Sequence, residues 1–88
     1  NQFQIETPTA TYLQSYDSII AKKEGSITYL DERYWNYSKT TSKYRSLFLG
    51  ESTKETQNKI NNGTYILANL NGKPSNTASN IIDFKFFK

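Results

Sequence analysis

Cysteine, methionine, histidine and valine are all missing from this 88-residue chain, and glycine (4) and proline (2) are scarce. Without cysteine there is no disulfide staple and no thiolate. Without histidine there is no imidazole base or ligand, so the common nucleophilic, acid–base and zinc schemes lack their residues. The redox compartment is not legible, because secreted and cytosolic proteins can both do without disulfides. The missing valine has no physical account. Long apolar runs are absent too: the longest are Leu47-Phe48-Leu49 and Tyr65-Ile66-Leu67-Ala68, far below the roughly eighteen residues a membrane-spanning helix needs. A soluble chain without a membrane span is expected.

The four glycines stand singly at 25, 50, 63 and 72, which excludes a glycine-rich phosphate loop. No run places acidic residues at alternating positions, as a calcium loop requires. No cofactor and no metal are expected. Asp31 and Glu32 are adjacent, so on a strand they point to opposite faces and cannot form the opposed carboxylate pair of a glycosidase; a charged turn is the simpler reading. Asp83, with Lys85 as its same-face neighbour, reads as a solvated pair. No GxSxG or SxxK context surrounds the many serines and threonines. The expectation is a protein that is not an enzyme.

What is present is a modest apolar share of 35% with 15% aromatics, enough for one small core because each ring buries a large area. A single domain over 1–88 follows. The net charge is +3, a mild basic excess that suits nucleic acid, anionic membranes or wall polymers about equally. It is uneven. Lys22 and Lys23 against Glu6, Asp17 and Glu24 leave −1 over residues 1–24, whereas nine cations against five anions give +4 over residues 25–88. The chain opens on Asn1 rather than methionine, so a removed signal peptide or an upstream segment is expected.

Tyr12, Leu13, Tyr16, Ile19 and Ile20 fall on one face of a 3.6-residue period, Thr7-Pro8 resembles an N-cap with proline after it, and Gly25 supplies a left-handed stop. This spacing predicts an amphipathic helix over 9–23, and the alternation of Phe3 and Ile5 with polar neighbours a short strand or arm before it, at 1–8. From residue 26 the period changes to two, and 26–88 reads as a β region with strands at 26–30, 33–38, 43–49, 64–70 and 81–87. Residues 50–63 are almost wholly polar; Ser52 and Glu55 have capping-box spacing, but without an apolar run they read as a loop with at most one helical turn. The fold class expected is α+β, an N-terminal amphipathic helix on a small antiparallel sheet or sandwich of four to five strands. Its core should contain Leu13, Tyr16, Ile20, Trp35, Leu47, Leu49, Ile66, Ile82, Phe84 and Phe86.

The richest constellation is Arg33-Tyr34-Trp35-Asn36-Tyr37-Ser38-Lys39, followed by Lys43-Tyr44-Arg45. Rings there can stack on bases or sugars while cations hold phosphate; alternatively, alternate aromatics on a strand are core and the interleaved cations are its solvated face. The candidate binding residues are Tyr34, Tyr37, Lys39, Lys43, Tyr44 and Arg45, with Lys43 and Arg45 expected at the solvent. The sequons Asn36-Tyr37-Ser38 and Asn62-Gly63-Thr64 are no more than nine asparagines bring by chance.

At these residues the chain resembles the lactococcin 972 family of bacteriocins. Trp35-Asn36-Tyr37-Ser38 is similar to that family's Trp-Asn-Tyr-Gly, and Ser42-Lys43-Tyr44 to its Ser-x-Tyr. Asn62-Gly63-Thr64-Tyr65 with Ala68 looks like its Gly-x-Trp-Ala strand, and Phe84 to Phe87 like its aromatic ending. Ser38 replaces glycine, Tyr65 replaces tryptophan, and residues 1–33 have no counterpart. The resemblance implies a secreted, non-enzymatic antibacterial β-sandwich that binds the wall precursor lipid II. The alternative is a small binding module, accessory or immunity-like, that meets a protein partner through a sheet edge or an anionic ligand through the basic aromatic patch. Single-stranded nucleic acid ranks behind an anionic wall precursor as the ligand.

Overall fold

The computed structural model describes residues 1–72. Its elements are β1 (Gln2–Glu6), β2 (Thr11–Ser15), β3 (Ser18–Glu24), β4 (Ile27–Asp31), α1 (Lys39–Leu49), α2 (Thr53–Asn61) and β5 (Tyr65–Ala68). β1 to β4 form an antiparallel meander, and β5 returns after the helices to pair in parallel with β4. Parallel neighbours need a crossover connection instead of a hairpin, and the helix pair supplies it. The class is α+β, with a mixed sheet.

The N-terminal helix expected over 9–23 is instead the hairpin β2–β3, and the helices follow the meander. The same apolar spacing arises from a bulge. Leu13 pairs with Ala21 and Gln14 with Ile19, which leaves Ile20 as an extra residue in β3. Ile20 and Ala21 thereby both join Leu13 in the core. Tyr16 and Asp17 make the two-residue turn between the paired Ser15 and Ser18, with Tyr16 at φ +55°. Thr7 closes the β1–β2 turn instead of capping a helix: its N–H donates to the Ala10 carbonyl at 2.8 Å, and its hydroxyl accepts from the Ala10 N–H at 3.0 Å. Gly25 does adopt a left-handed φ of +61°, in the β3–β4 turn.

The strands expected at 26–30 and 64–70 correspond to β4 and β5, whereas 33–38 is a loop and 43–49 lies within α1. Two local signals decide the helix. The Ser38 hydroxyl accepts from the Thr41 N–H at 3.1 Å at the N-terminus, and Gly50 ends α1 at φ +71° with its N–H on the Ser46 carbonyl. The polar stretch read as a loop holds α2, opened by a complete capping box: Ser52 N–H to Glu55 Oε1 at 2.9 Å and Glu55 N–H to Ser52 Oγ at 3.1 Å. α2 needs no apolar run because Thr56 is its one buried residue and Ile60 packs half-buried against the core.

Leu13, Ile20, Ala21 and Leu30 are the buried centre, with Trp35, Phe48, Leu49, Ile60 and Tyr65 among the residues packed around it. Of the expected core, Leu13 and Ile20 are buried, while Trp35 and Leu49 are half-buried. Tyr16, Leu47 and Ile66 are exposed instead, at 48%, 69% and 43%. Tyr16 sits at a turn, Leu47 on the outward side of α1, and Ile66 on the last strand of the sheet. Ile82, Phe84, Phe86 and the strand expected at 81–87 lie outside the described residues.

Asp31 is no solvated turn residue. It is 2% exposed, and its carboxylate accepts from the backbone N–H groups of Arg33, Tyr34 and Leu70 and from the Asn71 side-chain amide, all at 2.9–3.0 Å. Asn71 in turn extends the ladder of β3, accepting from the Ile19 N–H at 2.8 Å. One carboxylate thus fixes where the chain leaves β4 and where it emerges from β5.

Candidate functional site

The chain leaving Asp31 runs as a loop to Ser38, where α1 begins. Loop and helix together line a groove of about 490 Å³. Ser38, Ser42 and Ser46 recur every four residues and so set three hydroxyls along one side of α1. Lys39 and Lys43, also one turn apart, are exposed along it, and Tyr37 stands at its loop end, 45% exposed. Tyr34 meets the Tyr37 ring edge-on, with centroids 5.5 Å apart and planes at 75°. Thr53, the first residue of α2, also lines the groove.

The electrostatics favour an anion. The first turn of α1 holds no acidic residue, so the partial positive charge of its N-terminus adds to the two ammonium groups. The ion pairs among the described residues are Lys22–Glu24 and Lys59–Glu51; neither involves Lys39 or Lys43.

Arg45 corrects the sequence reading. It was expected at the solvent, but it is fully buried because residues 41, 45 and 48 share the inward side of α1. Nη1 donates to the Trp35 carbonyl at 2.8 Å and to Asn36 Oδ1 at 2.9 Å, and Nη2 donates to Thr53 Oγ1 at 2.5 Å. The guanidinium also sits 5.1 Å from the centre of the Trp35 ring. Desolvation lowers its pKa from the ordinary arginine value, opposed in part by the charge of Glu51. Arg45 is therefore not a ligand-facing cation. It holds Asn36 and Thr53, two residues of the groove wall.

A second polar cluster ties α2 to β5. Glu51 accepts from Lys59 Nζ and Thr56 Oγ1, each at 2.6 Å, and from the Tyr65 hydroxyl at 2.9 Å. Burial pushes the Glu51 pKa up, but the hydrogen bonds from Lys59, Thr56 and Tyr65 and the charge of Lys59 outweigh it and hold the carboxyl below its ordinary value. The Tyr65 hydroxyl is pushed up, by desolvation and then by its bond to Glu51.

Of the six residues expected to bind, Tyr37, Lys39 and Lys43 meet in the groove, with Tyr34 behind Tyr37. Tyr44, 38% exposed, turns to a different depression, lined with Leu47 and with Gln2 and Gln4 of β1. Sequence reasoning missed Asn36, Ser38, Ser42, Ser46 and Thr53. The serine spacing of four was the available signal, and reading 43–49 as a strand concealed it. Among the described residues no cluster of acidic side chains is arranged to hold a metal, and no helix is long and apolar enough to cross a membrane.

The model of a family of unknown function, DUF8033, matches residues 1–63. That is more than half of the chain, which belongs to this family. The match spans the meander and both helices, and so the whole groove. No curated protein and no solved structure matches.

Proposed function

We propose that this member of the DUF8033 family is a non-enzymatic binding module that takes an anionic, phosphate-bearing ligand in the groove along α1. The observation that carries the reading is the alignment of Lys39 and Lys43 along one groove, one turn apart, on a helix whose first turn holds no acidic residue. Ammonium donors of this kind suit phosphate oxygens, and the helix end adds a favourable field. Tyr37 supplies an apolar platform beside them. A sequence without histidine or cysteine accords with binding in place of catalysis.

The lactococcin-type resemblance at Trp35 to Ser38 and Ser42 to Tyr44 falls on this segment and suggests a first setting: a secreted chain that meets a pyrophosphate-linked wall precursor such as lipid II. The test is a titration with inorganic pyrophosphate and a lipid II analogue, using the wild-type chain and Lys39→Ala/Lys43→Ala. Saturable binding that the double variant loses supports the reading. Equal binding by both proteins would refute it. Growth inhibition of susceptible bacteria by the purified chain separates the antibacterial setting from an accessory one.

A further inference from the structure

We infer that the ligand of the groove is a single-stranded nucleic acid, laid along α1 with its phosphates on the lysines and a base against Tyr37. The inference rests on the phosphate-binding reading and names its ligand.

The two ammonium groups follow one another along α1 instead of converging on one point. From Ser38 to Ser46 the groove follows α1 for about 12 Å, at 1.5 Å per residue, and Lys39 and Lys43 stand about 6 Å apart along it. One pyrophosphate group would engage one end of such a row and leave the rest idle. A chain of phosphates engages all of it. Stacked B-form strands advance about 3.4 Å per phosphate, and a single strand pulled straighter approaches the spacing of the lysines.

The ring at the loop end points the same way. Tyr37 is 45% exposed while Tyr34 braces it from one side. A braced, exposed ring beside a cationic track is the arrangement that holds unpaired bases, whose faces a duplex keeps stacked. A polyol phosphate of the cell wall offers the charges but no flat face for Tyr37.

The experiment is fluorescence anisotropy of the full 88-residue chain with a labelled oligothymidylate roughly 12 nucleotides long, a duplex of the same length, and inorganic pyrophosphate as competitor. The single strand should bind more tightly than the duplex. With two phosphate contacts, one for each lysine, affinity should fall about 7-fold between 50 and 200 mM salt. Lys39→Ala and Lys43→Ala should each flatten the log–log salt dependence by about 0.7. Tyr37→Ala should weaken binding about fivefold or more, and Tyr37→Phe should keep it. Pyrophosphate binding at the groove without oligonucleotide binding overturns the strand inference and leaves the phosphate reading standing. Failure of both ligands overturns both. Oligonucleotide binding that is indifferent to all three alanine variants, or duplex binding as tight as the single strand, also overturns the inference.

Discussion

Arg45 Nη1 donates to Asn36 Oδ1 at 2.9 Å, so a buried guanidinium on the inward side of α1 fixes a residue of the groove wall. The same side chain reaches Thr53 at the start of α2. Two residues of the groove wall therefore depend on one buried side chain.

Replacing Arg45 with methionine keeps much of the apolar stem but leaves the Trp35 carbonyl and Thr53 Oγ1 short of a donor. The loss should be about 3 kcal/mol, measured by urea denaturation, because buried acceptors without partners cost far more than an ordinary hydrogen bond yields. Lys43→Ala, at the surface, should change stability by less than about 0.5 kcal/mol. Reversing the charge at both Lys43 and Arg45 is for this reason a poor probe of binding, since the buried half of the change would unfold the protein.

Asp31→Ala should destabilise by about 3 kcal/mol or more, because three backbone N–H groups and the Asn71 amide lose their acceptor together. Asp31→Asn keeps one oxygen acceptor and should fall between. Thermal unfolding of the three proteins should give midpoints in the order wild type, Asn, Ala; an Asp31→Ala midpoint equal to wild type would mean the carboxylate is not the clasp described here.

Part of this architecture was legible, and each part that was not has its own physical cause. Strand β4 and most of β5 follow from alternation, and Gly25 from its turn role. The β2–β3 hairpin was hidden because the bulge at Ile20 places two adjacent side chains in the core and so imitates a helical stripe. α1 was hidden because its inward face is Thr41 and Arg45, which no apolar pattern reveals, and α2 because its capping box precedes a helix that buries almost nothing. The clustering of Tyr37, Lys39 and Lys43 was legible from their closeness in the sequence, whereas placing Arg45 needed the helix.

Ser52→Ala removes half of the capping box and should cost about 1 kcal/mol, read from the urea midpoint. Glu55→Gln should cost less, because its amide oxygen still accepts from the Ser52 N–H. A Ser52→Ala protein as stable as wild type would show that α2 frays without consequence.

Acid should find Glu51. Its pKa in the folded protein lies below the ordinary 4.5, so the unfolded chain takes up the proton first as pH falls. The stability this carboxylate contributes is complete above about pH 4.5 and is lost as pH drops through the folded value. Thermal midpoints should therefore decline more steeply below pH 4.5 for wild type than for Glu51→Gln; parallel curves would contradict the bonding described for this carboxylate.

The central claim, a phosphate-binding groove along α1, is tested most directly by following every backbone amide in a ¹H–¹⁵N correlation spectrum as inorganic pyrophosphate is added. The expected result is a set of saturable shifts confined to residues 36–46 and Thr53 and its neighbours, absent in Lys39→Ala/Lys43→Ala. Shifts centred on the sheet or on the depression beside Leu47, or no shifts at millimolar pyrophosphate, would contradict it.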